Sequence, residues 1–116
     1  MPHVLIVDDA EDIVELASIG LDIAGWTSAS ASHSQAALEA LSQGHFDLVL
    51  LDYQLGSESG LELLPRLLQL TSAPVVFLTA AQSEQERRQF LEAGARGVVA
   101  KPFDPMLLGE QLQAFL

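Results

Sequence analysis

The sequence predicts an α/β fold, a doubly wound three-layer α/β/α sandwich on a parallel sheet, and two observations carry that prediction. Short apolar runs alternate with longer segments whose apolar residues recur at helical spacing, the pattern of repeated strand–helix–strand units with right-handed crossovers. The runs are also apolar at consecutive positions, as in Val4-Leu5-Ile6-Val7, Leu48-Val49-Leu50-Leu51 and Val75-Val76-Phe77-Leu78. Strands covered by helices on both faces read this way, whereas half-exposed strands alternate apolar with polar.

Taken in order, the first strand leads to a helix over Glu11 to Ala24, apolar at Ile13, Val14, Leu16, Ala17, Leu21 and Ile23, with Gly25 placed to stop it and Asp9 or Asp12 expected to cap it. Trp26 to Ser30 reads as a weak strand, with Trp26 packing in the core or at the sheet edge. A helix from Ser34 to Ser42 is closed by Gly44 and precedes the strongest strand, Leu48 to Leu51. Gln54 to Gly60 has loop composition. The next helix, Leu61 to Leu70, contains Pro65, which removes a backbone donor, and its core stripe is expected at Leu61, Leu64, Leu67 and Leu68. Ala73-Pro74 introduces the fourth strand. Ser83 and Glu86 have capping-box spacing for a helix reaching Ala93, which Gly94 ends. The last strand spans Gly97 to Ala100, and Asp104-Pro105 places a cap before a first-turn proline for the final helix.

The bounds agree with one domain over residues 1–116, and 49% hydrophobic residues are enough to bury a core. Sixteen acids against five bases give a net charge of -11, which opposes docking to nucleic-acid phosphates, so direct binding to nucleic acid is not expected. No apolar stretch approaches the roughly 20 residues a bilayer requires, and no basic leader precedes the first strand. A cytoplasmic location without membrane association is the default expectation. The absence of cysteine excludes disulfides and thiol chemistry, and His3, His33 and His45 lack metal-ligand spacing. Met1 stands directly before the first strand, so the expected arrangement is a stand-alone domain or the first domain of a longer protein.

Four apolar runs end on residues suited to phosphate chemistry. They lead into Asp8-Asp9, Asp52, Thr79 and Lys101-Pro102, and Lys101 is the only lysine in the chain. Ligands of open α/β sheets bind outside the carboxyl ends of the strands, so neighbouring runs would gather three carboxylates, a hydroxyl and an ammonium at one edge. Two carboxylates repel by roughly 4 kcal/mol at about 4 Å and an effective dielectric near 20, which calls for a cation or protons among them. Magnesium, which takes few carboxylates with waters and phosphate oxygens, suits the set. Each residue also has a plainer role: Asp8-Asp9 as helix caps, Asp52 as a turn residue, Thr79 as a strand former and Lys101 as a solvated charge. Their joint occurrence at four strand ends favours the phosphate reading.

With Asp8-Asp9, Asp52, Thr79-Ala80 and Lys101-Pro102-Phe103 at these positions, the sequence resembles the receiver domains (CheY-like) of bacterial two-component response regulators over essentially its whole length. The resemblance implies a flavodoxin-like five-stranded parallel sheet in order 2-1-3-4-5 with five helices. It implies that Asp52 accepts a phosphoryl group from a sensor histidine kinase or phosphotransfer protein. It further implies that Asp9, Asp52 and the backbone carbonyl of Gln54 ligate Mg²⁺, that Asp8 acts through water, and that Thr79 and Lys101 contact the phosphoryl oxygens. The Lys101–Pro102 bond is then expected to be cis. Chemistry would be confined to the domain's own phosphorylation and dephosphorylation, with a partner protein or an attached output domain as target and phosphorylation-dependent dimerisation among its expected states.

Two positions depart from that family's usual pattern. Val98 stands where an aromatic ring, three residues before the lysine, usually follows the hydroxyl residue, which puts that mode of transmission in doubt. Gly56 stands where proline is frequent, and added backbone freedom is the expected consequence. Gln54 and Ala81 hold positions that tune acyl-phosphate lifetime in the family, and Arg87 and Arg88 are weaker candidates for partner contact. Three other readings compete. A pseudo-receiver would act by protein interaction alone, but the acidic, hydroxyl and lysine set is complete. A haloacid dehalogenase-like phosphatase needs a second Asp two residues after its nucleophile, where Asp8 has Ala10. A flavin-binding flavodoxin-like domain cradles phosphate in its first loop, where Asp8-Asp9 would repel it.

Overall fold

In the computed structural model, which describes residues 1–80 and 83–116, the apolar runs form one parallel sheet. Its strands are β1 (His3–Val7), β2 (Thr27–Ala31), β3 (Leu48–Asp52), β4 (Val75–Thr79) and β5 (Gly97–Ala100), in spatial order β2-β1-β3-β4-β5. The expected flavodoxin-like order is therefore the observed one. Register pairs Val7 with Leu51, Asp52 with Leu78 and Thr79 with Ala100, so the carboxyl ends of β1, β3, β4 and β5 lie along one edge.

The two-residue period of a strand divides the runs between two cores. Leu5, Val7, Val49, Leu51, Val75 and Phe77 face one side, where Ala37 and Leu41 of α2 (Ser34–Gln43), Leu63, Leu64 and Leu67 of α3 (Gly60–Leu68) and Phe90 of α4 (Glu84–Glu92) cover them. Val4, Ile6, Leu48, Leu50, Val76, Leu78 and Val99 face the other, under Ala17 and Leu21 of α1 (Glu11–Ile23) and Leu108 and Leu112 of α5 (Pro105–Gln113). Every residue of β3 and β4 is buried, which explains why neither alternates with polar residues. Trp26 belongs to the second core and is 9% exposed, the packing role expected of it. None of the described helices is long and apolar enough to cross a membrane.

Several local expectations need correction. The first residue before α1 is Ala10, which has no side chain to cap with; Asp8 Oδ1 accepts the Ala10 amide at 2.9 Å and Asp12 binds the amide of Ile13, so neither Asp9 nor Asp12 caps the helix. The stretch after β3 is not a plain loop, because Gln54–Leu55 and Glu58–Ser59 pair as a small antiparallel ribbon. That ribbon lets α3 begin at Gly60, with Ser59 capping through its hydroxyl, and end at Leu68 rather than Leu70. Its buried stripe is Leu63, Leu64 and Leu67, with Leu68 38% exposed and Leu61 only partly buried, since the earlier start rotates the apolar face by part of a turn. Pro65 sits inside α3 and is exposed, where a missing donor faces solvent. Other expectations hold. Ser83 and Glu86 bind each other at the start of α4, Asp104 caps α5 ahead of Pro105, Gly25 and Gly94 take positive φ after their helices, and Lys101–Pro102 is cis.

Helices α1 and α5 approach so closely that Gly20 has no room for a side chain: a Cβ there would lie 2.5 Å from the Pro105 carbonyl oxygen. Because the obstacle is backbone, Gly20→Ala should lower stability by about 1–3 kcal/mol in urea unfolding. Ile23→Ala, on the solvent side of the same helix at 53% exposure, should change it by less than about 0.5 kcal/mol.

Candidate functional site

The parallel register brings the five side chains to one place. Asp8 lies just past the end of β1, Asp52 ends β3, Thr79 ends β4 and Lys101 follows β5. The Lys101 amide donates to the Thr79 carbonyl at 2.9 Å, extending the β4–β5 ladder to the site and fixing where the lysine side chain leaves the backbone. Lys101 Nζ then lies 3.1 Å from Asp52 Oδ1 and 3.2 Å from Asp8 Oδ2. Asp8 is 1% exposed, Asp52 6% and Thr79 4%, so two carboxylates and a hydroxyl are held in a nearly dry pocket mouth, with Asp9 exposed at its rim.

Carboxylate oxygens of Asp8, Asp9 and Asp52 lie within 4.8 Å of one another, the one such cluster of potential metal ligands among the described residues. Asp8 Oδ1 is satisfied by the Ala10 amide, whereas Asp8 Oδ2 is buried and accepts no hydrogen bond. Its approach to Lys101 is a charge contact without a directed N–H, so this oxygen stays available to a cation. Three carboxylates against one ammonium leave two negative charges in a confined space. That excess, the hard oxygen donors and the unpartnered Asp8 oxygen together fit a divalent cation such as Mg²⁺.

The electrostatics of the pair follow from this geometry. Burial raises the Asp52 pKa above the ordinary carboxylate range, the Lys101 hydrogen bond pulls it down, and the nearby Asp8 charge pushes it up again, leaving a net increase. For Lys101, burial opposes the charge, but the Asp52 hydrogen bond and the negative charges of Asp8 and Asp52 outweigh it and raise its pKa. Lys101 is therefore held protonated at neutral pH.

The ribbon after Asp52 closes the site from the other side. Gly56 has φ of +58° and its amide donates to Asp9 Oδ2 at 3.0 Å, so this glycine is a tied point rather than a source of added freedom. The Gln54 amide donates to the Asp52 carboxylate, and its side-chain Nε2 reaches the Gly56 carbonyl at 3.3 Å. Glu58 accepts the Ser34 hydroxyl at 2.7 and 2.9 Å, fastening the ribbon to the start of α2. A further residue escaped the sequence reading: a Cβ on Gly60 would lie 2.4 Å from the Asp52 carbonyl oxygen, so only glycine lets α3 start this close to the acceptor strand. The single signal for it was a glycine directly before an amphipathic helix, which is ordinary in a loop.

Of the two departures, Val98 is partly buried and packs on the core that holds Phe77 and Phe90, leaving no ring there to move. The aromatic rings on this side come from elsewhere: Tyr53 lies 5.4 Å from Phe90, which stacks on Phe77 at 4.7 Å. Arg87 and Arg88 are exposed on α4, and Ala81 lies outside the described residues.

The response regulator receiver domain family matches residues 4–113, and the chain belongs to it. Over 116 residues the chain is 39% identical to the phosphate regulon transcriptional regulatory protein PhoB of Pseudomonas aeruginosa, covering 97% of this chain and 51% of that protein. It is 36% identical over 103 residues to the transcriptional regulatory protein KdpE of Mycobacterium tuberculosis, covering 89% of this chain and 46% of that one. The chain thus spans about half the length of these curated relatives. Among solved structures, chemotaxis protein CheY4 of Vibrio cholerae matches with a TM-score of 0.91 at 29% identity, covering 100% of this chain and 99% of that one. A response regulator from Burkholderia pseudomallei, solved with a phosphorylated aspartic acid, a calcium ion and citrate, matches with a TM-score of 0.87 at 27% identity, covering 100% of this chain and 67% of that one. The protein is therefore a receiver domain of the two-component response regulator class.

Because the folded Asp52 pKa is raised, the native state holds that proton better than the unfolded chain does. Stability linked to Asp52 is then present at low pH and lost as pH rises through the folded pKa. In metal-free buffer, Asp52→Asn should gain stability relative to the parent protein at pH 7, and the gain should shrink as pH falls towards about 3.9; urea unfolding at a series of pH values measures it.

Proposed function

We propose that this receiver accepts a phosphoryl group on Asp52 from a phosphohistidine of a sensor histidine kinase or phosphotransfer protein, in a Mg²⁺-dependent reaction. The observation that carries the proposal is the buried Asp52 carboxylate, held 3.1 Å from the only lysine and within 4.8 Å of two further carboxylates. A carboxylate is a weak nucleophile in water, and fixing it in a pre-arranged site removes much of the entropic barrier to attack. An Asp52 oxygen would attack the phosphorus while the phosphorus–nitrogen bond breaks, its electron pair leaving with the imidazole, so that an acyl phosphate forms. Lys101 and the Thr79 hydroxyl would bind the transferred oxygens, with the ammonium offsetting their charge.

Asp8, Asp9, Asp52 and the backbone carbonyl of Gln54 would hold the metal, with Asp9, Asp52 and Gln54 in direct contact and Asp8 acting through water. When bound, Mg²⁺ would neutralise charge on the phosphoryl oxygens. The phosphorylated aspartic acid and calcium ion described for the Burkholderia pseudomallei relative support this assignment. The chemistry would be confined to the domain's own Asp52, formation and hydrolysis of the acyl phosphate included, so the protein regulates rather than turning over a separate substrate.

Residues 1–116 would act as one domain in the cytoplasm and control a partner protein or an attached output, with dimerisation on phosphorylation as one output state. The names of PhoB and KdpE, transcriptional regulatory proteins about twice as long, support an attached output. With a net charge of -11, this chain itself would not grip DNA.

Incubation with Mg²⁺ and acetyl phosphate followed by intact mass spectrometry tests the reading. The mass should rise by one phosphoryl group, and the gain should vanish in Asp52→Asn and on chelation. No gain in the parent protein, or an undiminished gain in Asp52→Asn, would refute it.

A further inference from the structure

Asp9 differs from its neighbours in how it is held. Asp8 and Asp52 are buried and meet Lys101, while Asp9 is exposed, and a carboxylate at a loop rim would ordinarily sample several rotamers. What restrains it is a contact across 47 residues of sequence, the Gly56 amide donating to Asp9 Oδ2 at 3.0 Å. The bond requires a residue with a backbone N–H and a positive φ at position 56, and Gly56 at +58° supplies both. The position is in turn fixed on either side: Gln54–Leu55 pairs with Glu58–Ser59, and Glu58 is fastened to Ser34 of α2. With this bond in place, Asp9 still presents a carboxylate oxygen within 4.8 Å of oxygens of Asp8 and Asp52. One Asp9 oxygen is thus held by the ribbon while the carboxylate stays within reach of the cluster.

We propose that the Gly56 amide is an outer-shell positioning group that orients Asp9 for the metal, making the ribbon after Asp52 part of the cation site. The proposal rests on the reading of Asp9 as a magnesium ligand. Ligating carboxylates depend on hydrogen bonds from outer-shell partners, and removing such a partner typically weakens metal binding by about 10- to 100-fold. The amide also lowers the freedom that Asp9 would otherwise lose on binding, so its effect should appear in affinity.

Isothermal titration calorimetry with MgCl₂ on the unphosphorylated protein separates the possibilities. Gly56→Pro deletes the N–H and should weaken binding by about tenfold or more. Gly56→Asn keeps the N–H, tolerates positive φ better than most residues, and places its Cβ at an ordinary 3.8 Å from Asp9 Oδ2, so it should recover most of the affinity. Asp9→Asn serves as the reference for the underlying reading. If Asp9→Asn binds Mg²⁺ as well as the parent, Asp9 is not a ligand and both ideas fail. If Asp9→Asn loses affinity while Gly56→Pro retains it, the positioning role alone fails. Equal weakening in Gly56→Asn and Gly56→Pro would assign the effect to loop shape and overturn the proposal. Should Gly56→Pro not fold, amide hydrogen exchange decides: in metal-free protein the Gly56 amide should be slowed relative to Asp9→Ala, and equal rates would overturn the proposal.

Discussion

The contact on which this structure turns is the Lys101 ammonium set between the buried carboxylates of Asp8 and Asp52. Each attraction, at 3.1 and 3.2 Å, is worth about 5 kcal/mol at an effective dielectric near 20, against roughly 4 kcal/mol of repulsion between the two carboxylates. One lysine can therefore hold two carboxylates at the end of a sheet. It cannot also neutralise Asp9, and the net negative charge left over is what makes the edge a place for a divalent cation and then for a phosphoryl group. The arrangement is balanced so that adding positive charge helps and removing it harms.

Everything else in the fold serves to keep those groups at that edge. Consecutive apolar residues give strands buried on both faces, and parallel pairing aligns their carboxyl ends. Glycines at helix contacts bring elements closer than a side chain would permit: Gly20 admits the start of α5, and Gly60 admits α3 beside the acceptor strand. Transmission away from the site must use other parts than a ring at position 98. The Tyr53, Phe90 and Phe77 rings form a contact path from the residue after Asp52 to α4, on the face where Val98 packs.

The strand ends were legible in the sequence because burial on both faces leaves an unmistakable apolar run, and a charged residue closing such a run stands out. Asp8, Asp9, Asp52, Thr79 and Lys101 came together as that pattern implies. Less legible was whatever depends on a few residues of backbone path. The ribbon of Gln54 to Ser59 has turn composition, and its pairing is set by ties to Asp9 and Ser34, which are remote in sequence. That path moved the start of α3, and with it the core position from Leu68 to Leu63. The cap of α1 was misplaced for a similar reason: Asp8 reaches the Ala10 amide from outside the helix, so composition named the right residue type at the wrong position. Gly56 illustrates the limit most clearly, since a flexible residue in sequence became a fixed donor in space.

If the excess negative charge at the strand ends defines this protein, the metal-free fold carries a strain that Mg²⁺ specifically relieves. The direct measurement is the thermal unfolding midpoint as a function of MgCl₂, set against NaCl at matched ionic strength. The account predicts a saturable rise with Mg²⁺, following ligand-linked stabilisation, that NaCl does not reproduce. A midpoint that responds equally to the two salts would show that the carboxylates are screened rather than bridged, and would contradict the account.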